Sequence, residues 1–312
     1  MTKQMQNDIN SIESRFHHGE QQMQARAGKR EQAEQIGARF IRDYMPDQHR
    51  DFYQQLPFIA VGSVDSLGCV WASIVCGQPG FVQSPTSTTL ALAQTIFADD
   101  PLKANLTVGA PLGFLGIELE TRRRNRINGW LEWQSQRYFQ VKVEHAFGNC
   151  PKYIKRRQVR FTNPDNLGNQ VISSNVISEF NQTLQQLIAG AETFFVASYL
   201  KNEQGEAKSV DISHRGGDPG FIALEDNGFV VPDFPGNNHF NTLGNFLLNP
   251  NAGVTFVDFT NGDIVMLSGR VAILEKSQLP SAFTDNYRRA WRFTFEQGIV
   301  LNKAMPFTFE NI

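Results

Sequence analysis

Short apolar runs separated by turn residues dominate this sequence from about residue 58 onward. The stretches 58–64, 69–75 and 80–84 are rich in β-branched and aromatic residues, and Gly, Pro, Ser and Asp stand between them. Short strands with frequent turn signals are typical of small β-barrels. The pattern therefore predicts a mainly β chain with α-helices at its periphery.

One segment near the start of the chain shows helical periodicity. Residues 29–44 have apolar positions at helical spacing with a proline just beyond, and we expect an amphipathic helix there that covers the following sheet. The residues that carry this pattern are Ala33, Ile36, Phe40, Ile41, Tyr44 and Pro46. The first 28 residues are polar and rich in Gln, which predicts a partly ordered arm. Within it, the adjacent His17 and His18 do not share a helix face, so a structural role is favoured over metal binding.

The β pattern occurs twice in the chain. Phe58, Ala60 and Gly68 recur 137 residues later as Phe195, Ala197 and Gly205, and further matches follow at a shift of 140. These further pairs are Val70 and Val210, Ser73 and Ser213, Gly77 and Gly217, Pro79 and Pro219, Gly80 and Gly220, Phe81 and Phe221, Gly113 and Gly253, Glu118 and Asp258, and Gly129 and Gly269. An offset that stays constant apart from one step at a turn indicates a duplicated β domain.

The two copies differ where anion-binding residue types occur. The second copy has Ser213, His214 and Arg215 before a Gly-Gly turn, where the first has Ser73 followed by apolar residues. Asn241 and Thr242 precede a short apolar segment that ends at Asn249-Pro250, so either is a suitable N-cap for a helix. A helix start beside an arginine suits a phosphate monoester. The second copy is therefore the predicted binding copy.

Composition excludes several broad classes. The 312 residues carry 29 basic and 31 acidic side chains, which argues against general nucleic-acid or membrane-surface binding. The length suggests about two domains. Three cysteines without a CxxC pair, and no histidines at metal-ligand spacing, predict a reducing compartment and no metal site. With neither an N-terminal signal pattern nor a membrane-length apolar run, we expect a cytoplasmic protein.

These second-half motifs carry a family resemblance. The order SVDISHRGGDPGF, VPDFPGN and FNTLGN, then NPNAGVTFVDF and GDIVMLSGR, resembles the pyridoxamine-phosphate-oxidase-like FMN-binding split β-barrels. The chain is similar to a two-barrel branch that is sometimes fused to ferredoxin-reductase and [2Fe–2S] modules, which are not evident here. Resemblance to that branch extends to 16–20, 39–50, 116–129 and 147–154, so it covers nearly the whole chain.

The resemblance implies two tandem split barrels and one FMN. We expect an N-terminal arm and helix (1–51), a first barrel with a degenerate site (52–160), a connector helix (161–189) and a second, FMN-binding barrel (190–312). The phosphate would lie near Ser213, His214, Arg215, Asn241 and Thr242. The ring would lie near Asp211, Pro232, Asp233 and Phe234, with the other wall from the first barrel or from a second chain. The lysine and arginine pairs of true pyridoxamine-phosphate oxidases are not evident, which argues against a vitamin B6 substrate.

Several single residues keep two interpretations. His214 is favoured as a phosphate ligand over a core histidine, Asp233 orients the flavin or caps a turn, and Arg270 binds the flavin edge or pairs with Asp258 or Asp263. The basic run 122–126 is favoured as a solvated or inter-barrel hairpin, with nucleic-acid or anionic-substrate contact as alternatives. Cys150 is expected in a helix start between the barrels, with Lys152 and Tyr153 as candidate substrate contacts. Trp291 and Phe293 are expected in the core or over the flavin.

The implied function is an FMN-dependent oxidoreductase without an assigned catalytic residue or substrate. A reduced nicotinamide is a candidate electron donor, although no GxGxxG turn is present to hold one. The alternatives are a flavin-binding or sensing protein without turnover, and a haem-binding split barrel with His17, His18 or His239 as ligands. We also expect a homodimer, because isolated barrels of this type usually expose an apolar face.

Overall fold

Two large antiparallel sheets with the same strand order form the body of the computed structural model, which describes residues 14–93, 95–162 and 172–312. The strands of the first sheet are β1 (Phe58–Val64), β2 (Val70–Cys76), β3 (Val82–Thr86), β4 (Thr89–Ala93), β5 (Pro111–Glu118), β6 (Arg123–Gln134) and β7 (Tyr138–Gly148). Those of the second are β10 (Thr193–Lys201), β11 (Ala207–Gly216), β12 (Ala223–Glu225), β13 (Gly228–Pro232), β14 (Asn251–Val257), β15 (Ile264–Glu275) and β16 (Arg289–Leu301).

The two sheets share one topology. The spatial order is β2-β1-β5-β6-β7-β4-β3 in the first and β11-β10-β14-β15-β16-β13-β12 in the second. Each strand of one order therefore has its counterpart at the same place in the other. The duplication predicted from the constant sequence offset is confirmed. Three shorter strands lie outside this repeat: β9 (Ser174–Ile177), which pairs with β16, and β8 (Arg157–Phe161), which pairs with β17 (Phe307–Asn311).

The two sheets pack on each other along an apolar seam. Its buried residues come from both halves, among them Ala60, Ile74 and Leu115 from the first and Ala197 and Ile212 from the second. Two glycines bring backbones close together across this seam. A Cβ on Gly113 would lie 2.6 Å from the carbonyl oxygen of Val210, and one on Gly253 would lie 2.5 Å from that of Val70. The two contacts are equivalent under the shift of 140, so the halves meet with pseudo-twofold symmetry.

Six helices surround the sheets in the described part of the chain. They are α1 (His18–Arg26), α2 (Arg30–Phe40), α3 (Asp47–Gln54), α4 (Pro101–Asn105), α5 (Gln182–Gly190) and α6 (Asn241–Leu248). The predicted helix 29–44 is shorter in the structure, because the chain turns to extended backbone at Ile41 and Arg42 pairs with Ala146. Pro46 precedes a further helix, α3, which the sequence analysis missed. Of the expected connector helix, α5 covers the C-terminal end, and 163–171 lie outside the described residues.

The N-terminal segment is helical and docked from residue 18 onward. Met23 is fully buried in the core cluster of the second sheet, and Gly19 lies against the backbone of Gly244 in α6. This part of the predicted arm is therefore an ordered helix, and one face of α1 is buried although its composition is polar. Residues 1–13 of the arm lie outside the described part.

Candidate functional site: an arginine-lined cavity between the two sheets

A cavity of about 750 Å³ opens where the second sheet, the first sheet and the N-terminal segment meet. Its walls combine the strand end Ser213–Gly216, the start of α6 and the loop that follows β13 with side chains of the first half. Both walls come from one chain. Side chains of the first half therefore form part of the wall of this cavity within the same chain.

The edge strand β11 supplies Ser213, His214 and Arg215 to the cavity. Ser213 and His214 are buried and Arg215 is half-buried. The strand approaches the first half closely at its end. A Cβ on Gly216 would lie 2.1 Å from the carbonyl oxygen of Tyr153, so a glycine is required there. The glycine that ends the His-Arg-Gly sequence therefore has a packing role at this contact.

Helix α6 points its N-terminus at the same cavity. Asn241 and Thr242 both line it, but they are the first residues of the helix and not its N-cap. The N-cap is Phe240, whose backbone is left-handed (φ 62°) and whose side chain makes no capping hydrogen bond. In the described part of the chain, the first N–H groups of the helix therefore lack a side-chain partner, and together with the helix dipole they favour an anion. A non-glycine residue held at positive φ beside a cavity is the kind of strain that functional sites retain.

Two arginines of the first half complete the cavity. Arg124 and Arg126 on β6 lie two residues apart, so their side chains point to the same face of the strand. Arg124 Nη1 lies 3.1 Å from His214 Nδ1, and Arg126 Nη1 donates to Asn241 Oδ1 at 3.0 Å. Arg126 also donates to the Ser213 hydroxyl. The basic run is thus an inter-barrel contact, as favoured from the sequence, and two of its residues also belong to the site.

A network of buried polar groups holds Arg126 in place. Asp211 lies beneath the cavity and accepts from Arg126 at 3.3 Å, from Asn128 at 2.7 Å and from Asn245 at 2.8 Å. Ser213 Oγ lies 2.9 Å from Thr242 Oγ1. Because two side-chain amides and a guanidinium surround its carboxylate, Asp211 is satisfied without facing the cavity. Its role in the structure is to orient the site and not to line it.

Positive charge exceeds negative charge in the deep part of the cavity. Within the described ranges, no carboxylate oxygen lies within 4 Å of the guanidinium of Arg124 or Arg215. Burial and the neighbouring Arg126 and Arg215 lower the pKa of Arg124 to about 10, so it remains charged at neutral pH. Burial and the nearby arginines hold the pKa of His214 well below its usual range. His214 is therefore neutral, and with Nδ1 accepting from Arg124 its proton is on Nε2, which has no partner.

The mouth of the cavity is aromatic. Tyr153 stacks on Phe234 at a centroid distance of 4.9 Å, and Phe234 contacts Tyr287 at 5.4 Å. Asp233 also lines the cavity, where its carboxylate pairs with Arg289 at 2.7 Å. Cys150 and Lys152 lie on the opposite wall, but 149–154 hold no helix, so the helix start expected there is wrong. The chain instead turns through a left-handed Tyr153 (φ 66°).

The structure brings most of the predicted site residues together and leaves some apart. Those that line the cavity are Ser213, His214, Arg215, Asp233, Phe234, Asn241 and Thr242. Pro232 is buried at the end of β13, and Arg270 is exposed on β15; neither lines the cavity. None of His17, His18 and His239 lines it either. Trp291 and Phe293 are fully buried in the second core, as the core interpretation predicted.

The equivalent place in the first copy is filled. Ser73, the counterpart of Ser213, donates to Asp100 at 2.6 Å, while Met266 stands where Arg126 would be under the shift of 140. Cys76 contacts Met305 at 3.5 Å, and both belong to the apolar seam. In the first copy, apolar side chains occupy the volume that corresponds to the arginine-lined cavity of the second copy. The asymmetry between the copies therefore lies in both charge and volume.

Metal-ligand clusters and membrane-length helices are both absent from the described residues. Among the described residues, no three His, Cys, Asp or Glu side chains are grouped so that they could ligate a metal ion. In the same ranges, no helix combines the length and the apolar character needed to cross a bilayer.

Comparisons with known proteins give matches among solved structures. Family models and curated proteins yield no match for this chain. One similar structure is a protein related to general stress protein 26, of the pyridoxinephosphate oxidase family, from Clostridium acetobutylicum (16% identity, 43% of this chain and 94% of that chain, TM-score 0.28). Another is a pyridoxamine 5'-phosphate oxidase-related FMN-binding protein from Nostoc punctiforme (9% identity, 44% and 97%, TM-score 0.24). A third is the heme storage protein HutZ from Vibrio cholerae (13% identity, 40% and 95%, TM-score 0.27).

These likenesses concern the fold alone. The predicted fold class is confirmed in the structure itself, where two equivalent antiparallel sheets carry helices at their periphery. In fold, the chain is a tandem pair of equivalent antiparallel β domains.

Proposed function

We propose that this chain binds FMN in the cavity between its two sheets, with the phosphate in the deep part. The observation that carries the proposal is the convergence of Arg124, Arg126 and Arg215 beside an uncapped helix start. Of these three, Arg126 pairs with the carboxylate of Asp211, while Asp233, which also lines the cavity, pairs with Arg289. Guanidinium groups bind phosphate oxygens in bidentate fashion, and a helix N-terminus adds backbone donors.

The donors that a phosphate needs are present and unsatisfied. The Nε atoms of Arg124 and Arg215 and Nε2 of His214 are buried without a hydrogen-bond partner in the described part of the chain. Buried donors of this kind cost free energy unless something accepts from them. A phosphate would accept from all three residues. Tyr153, Phe234 and Tyr287 at the mouth of the cavity would cover a planar ring that extends outward from the bound phosphate.

Bound FMN would supply hydride or electron transfer, which makes an oxidoreductase the proposed activity. The residues of this chain would anchor the phosphate at Arg124, Arg126 and Arg215 and would keep water from the ring with Phe234 and Tyr153. The neutral His214 would donate from Nε2 and would not exchange a proton at neutral pH. No catalytic acid or base is assigned. A small-molecule substrate with a reduced nicotinamide as donor, a homodimer and a cytoplasmic location remain predictions from the sequence.

The first experiment is the visible spectrum of the purified protein, with identification of the compound released by heat. We expect flavin absorption bands and FMN in the supernatant. Arg215→Ala removes one charged donor, and since such a hydrogen bond contributes about 1.5–3 kcal/mol, FMN should bind about 10–150-fold more weakly. Arg270→Ala is the matched control, because Arg270 is exposed outside the cavity, and it should retain wild-type affinity.

Two outcomes would contradict the proposal. A protein that is colourless as purified and does not bind added FMN leaves the cavity to another anion. A Soret band after haem titration, without flavin binding, would favour the haem alternative.

A flavoprotein that is reduced by NADH or NADPH, with an acceptor that reoxidises it, would support the oxidoreductase over a flavin carrier without turnover.

A further inference from the structure

A buried carboxyl from the N-terminal helix reaches the anion site through Asn241. Glu20 lies in the first turn of α1 and is 4% exposed. Its Oε1 accepts from the side-chain amide of Asn241, whose Oδ1 in turn accepts from Arg126 Nη1 at 3.0 Å. Glu20 therefore fixes which way the amide of Asn241 points. Through that amide it also holds the guanidinium that faces the cavity.

Local sequence explains why the carboxyl is so deeply placed. His17 caps α1, accepting from the backbone N–H of Gly19 at 3.1 Å, while Glu20 Oε2 accepts from the N–H of His17 at 2.9 Å. This reciprocal arrangement is a capping box built with a histidine. Gly19 and Gly244 allow α1 and α6 to touch backbone to backbone, since a Cβ on either would lie within 2.6 Å of the other helix. The contact brings Glu20 to the start of α6.

Burial and the negative charge of Asp211 favour the protonated form of Glu20 and outweigh the opposing effect of Arg126. From β11 the carboxylate of Asp211 faces it, from β6 the guanidinium of Arg126, from α6 only the neutral amide of Asn241, and from its own helix start His17 at 3.5 Å. Burial lowers the pKa of His17, so that ring adds no charge at neutral pH. Arg126 bonds directly to Asp211 and not to Glu20. Burial first, and Asp211 second, raise the pKa of Glu20 to about 8.

We infer that Glu20 is a positioning residue of the anion site and that the site binds a phosphate together with a proton on the Glu20 carboxyl. This inference rests on the proposed FMN function and adds to it a charge-selective coupling. An ionised Glu20 would add a second negative charge behind Arg126 and would oppose a dianion. The neutral form leaves the full positive charge of the arginines to the ligand. The proton comes from solvent and remains on the carboxyl while the phosphate is bound.

The test compares FMN with riboflavin, which lacks the phosphate, by titrating the apoprotein between pH 6.5 and 9. The phosphate is a dianion over most of this range, because its second pKa is about 6. Glu20 ionises in the free protein near pH 8, so FMN affinity should fall above that pH by up to about tenfold per pH unit. Riboflavin affinity should stay constant. Glu20→Gln should make FMN affinity constant from pH 7 to 9. Glu34→Gln changes a half-buried helix carboxylate that pairs with Arg30 outside the cavity, and it should keep the wild-type profile.

A second measurement uses the wild-type protein, so it does not depend on whether a variant folds. Calorimetry of FMN binding to the wild-type protein at pH 8.5, in two buffers of different ionisation enthalpy, should reveal uptake of a fraction of a proton. Riboflavin should cause none. FMN binding that is independent of pH and takes up no proton would overturn the inference and leave the proposed function intact. Absence of FMN binding at every pH would overturn both.

Discussion

Replacing Arg126 by methionine is expected to lower the free energy of unfolding of the apoprotein by about 3–5 kcal/mol. The guanidinium is buried and is the cation beside the equally buried Asp211. It also bonds to Ser213 and Asn241 from the other half of the chain. Methionine fills similar volume without charge, so the loss would come from an uncompensated carboxylate. Urea unfolding of the apoprotein measures it with no contribution from a bound cofactor.

A double variant separates the charge effect from a packing effect. Arg126→Met combined with Asp211→Asn removes both charges and leaves amide groups that Asn128 and Asn245 can still contact. We expect the double variant to recover at least half of the stability lost by Arg126→Met. If the double variant instead loses the sum of the stabilities that Arg126→Met and Asp211→Asn each lose alone, Asp211 does not depend on Arg126, and the buried pair is not what joins the two sheets here.

Gly113→Ala and Gly253→Ala are each expected to destabilise the protein by about 1–3 kcal/mol. A methyl group at Gly113 would overlap the carbonyl oxygen of Val210, and one at Gly253 would overlap that of Val70. The obstacle in both cases is backbone within a paired strand, which cannot rotate away as a side chain can. The sheets would have to separate along the whole seam. Thermal and urea unfolding of the two variants should give similar losses, because the two contacts are pseudo-symmetric.

The matched control for these variants is Gly190→Ala at the end of α5. A Cβ added at Gly190 meets nothing within 4 Å, and the substitution removes backbone freedom from the unfolded chain. It should therefore leave stability unchanged or raise it by about 0.4–1 kcal/mol. Wild-type stability in Gly113→Ala and Gly253→Ala would mean that the sheets are not packed as closely as the structure has them.

Features encoded by neighbouring residues were largely predictable from the sequence. Strand β1 lies at the predicted residues, 58–64. The features that were not predicted lie where the local sequence signal differs from the structure that forms. Pro46 was interpreted as the end of a helix, although it also precedes α3. Phe240 was not a candidate N-cap because a phenylalanine in left-handed conformation is unfavourable, and only the surrounding packing holds it there.

The sequence by itself determined the duplication, the β class and the half of the site that lies in one stretch, from Ser213 to Thr242. Spacing and turn chemistry are enough for these, because they involve residues close in the chain. Only the tertiary structure assigned Arg124, Arg126 and Glu20 to the site and excluded Arg270 and Pro232 from the cavity wall. Arg126 lies 115 residues from Asn241, and Glu20 lies 221 residues from it. Such contacts follow from how the two sheets and α1 pack, which depends on the whole buried seam and not on any local pattern.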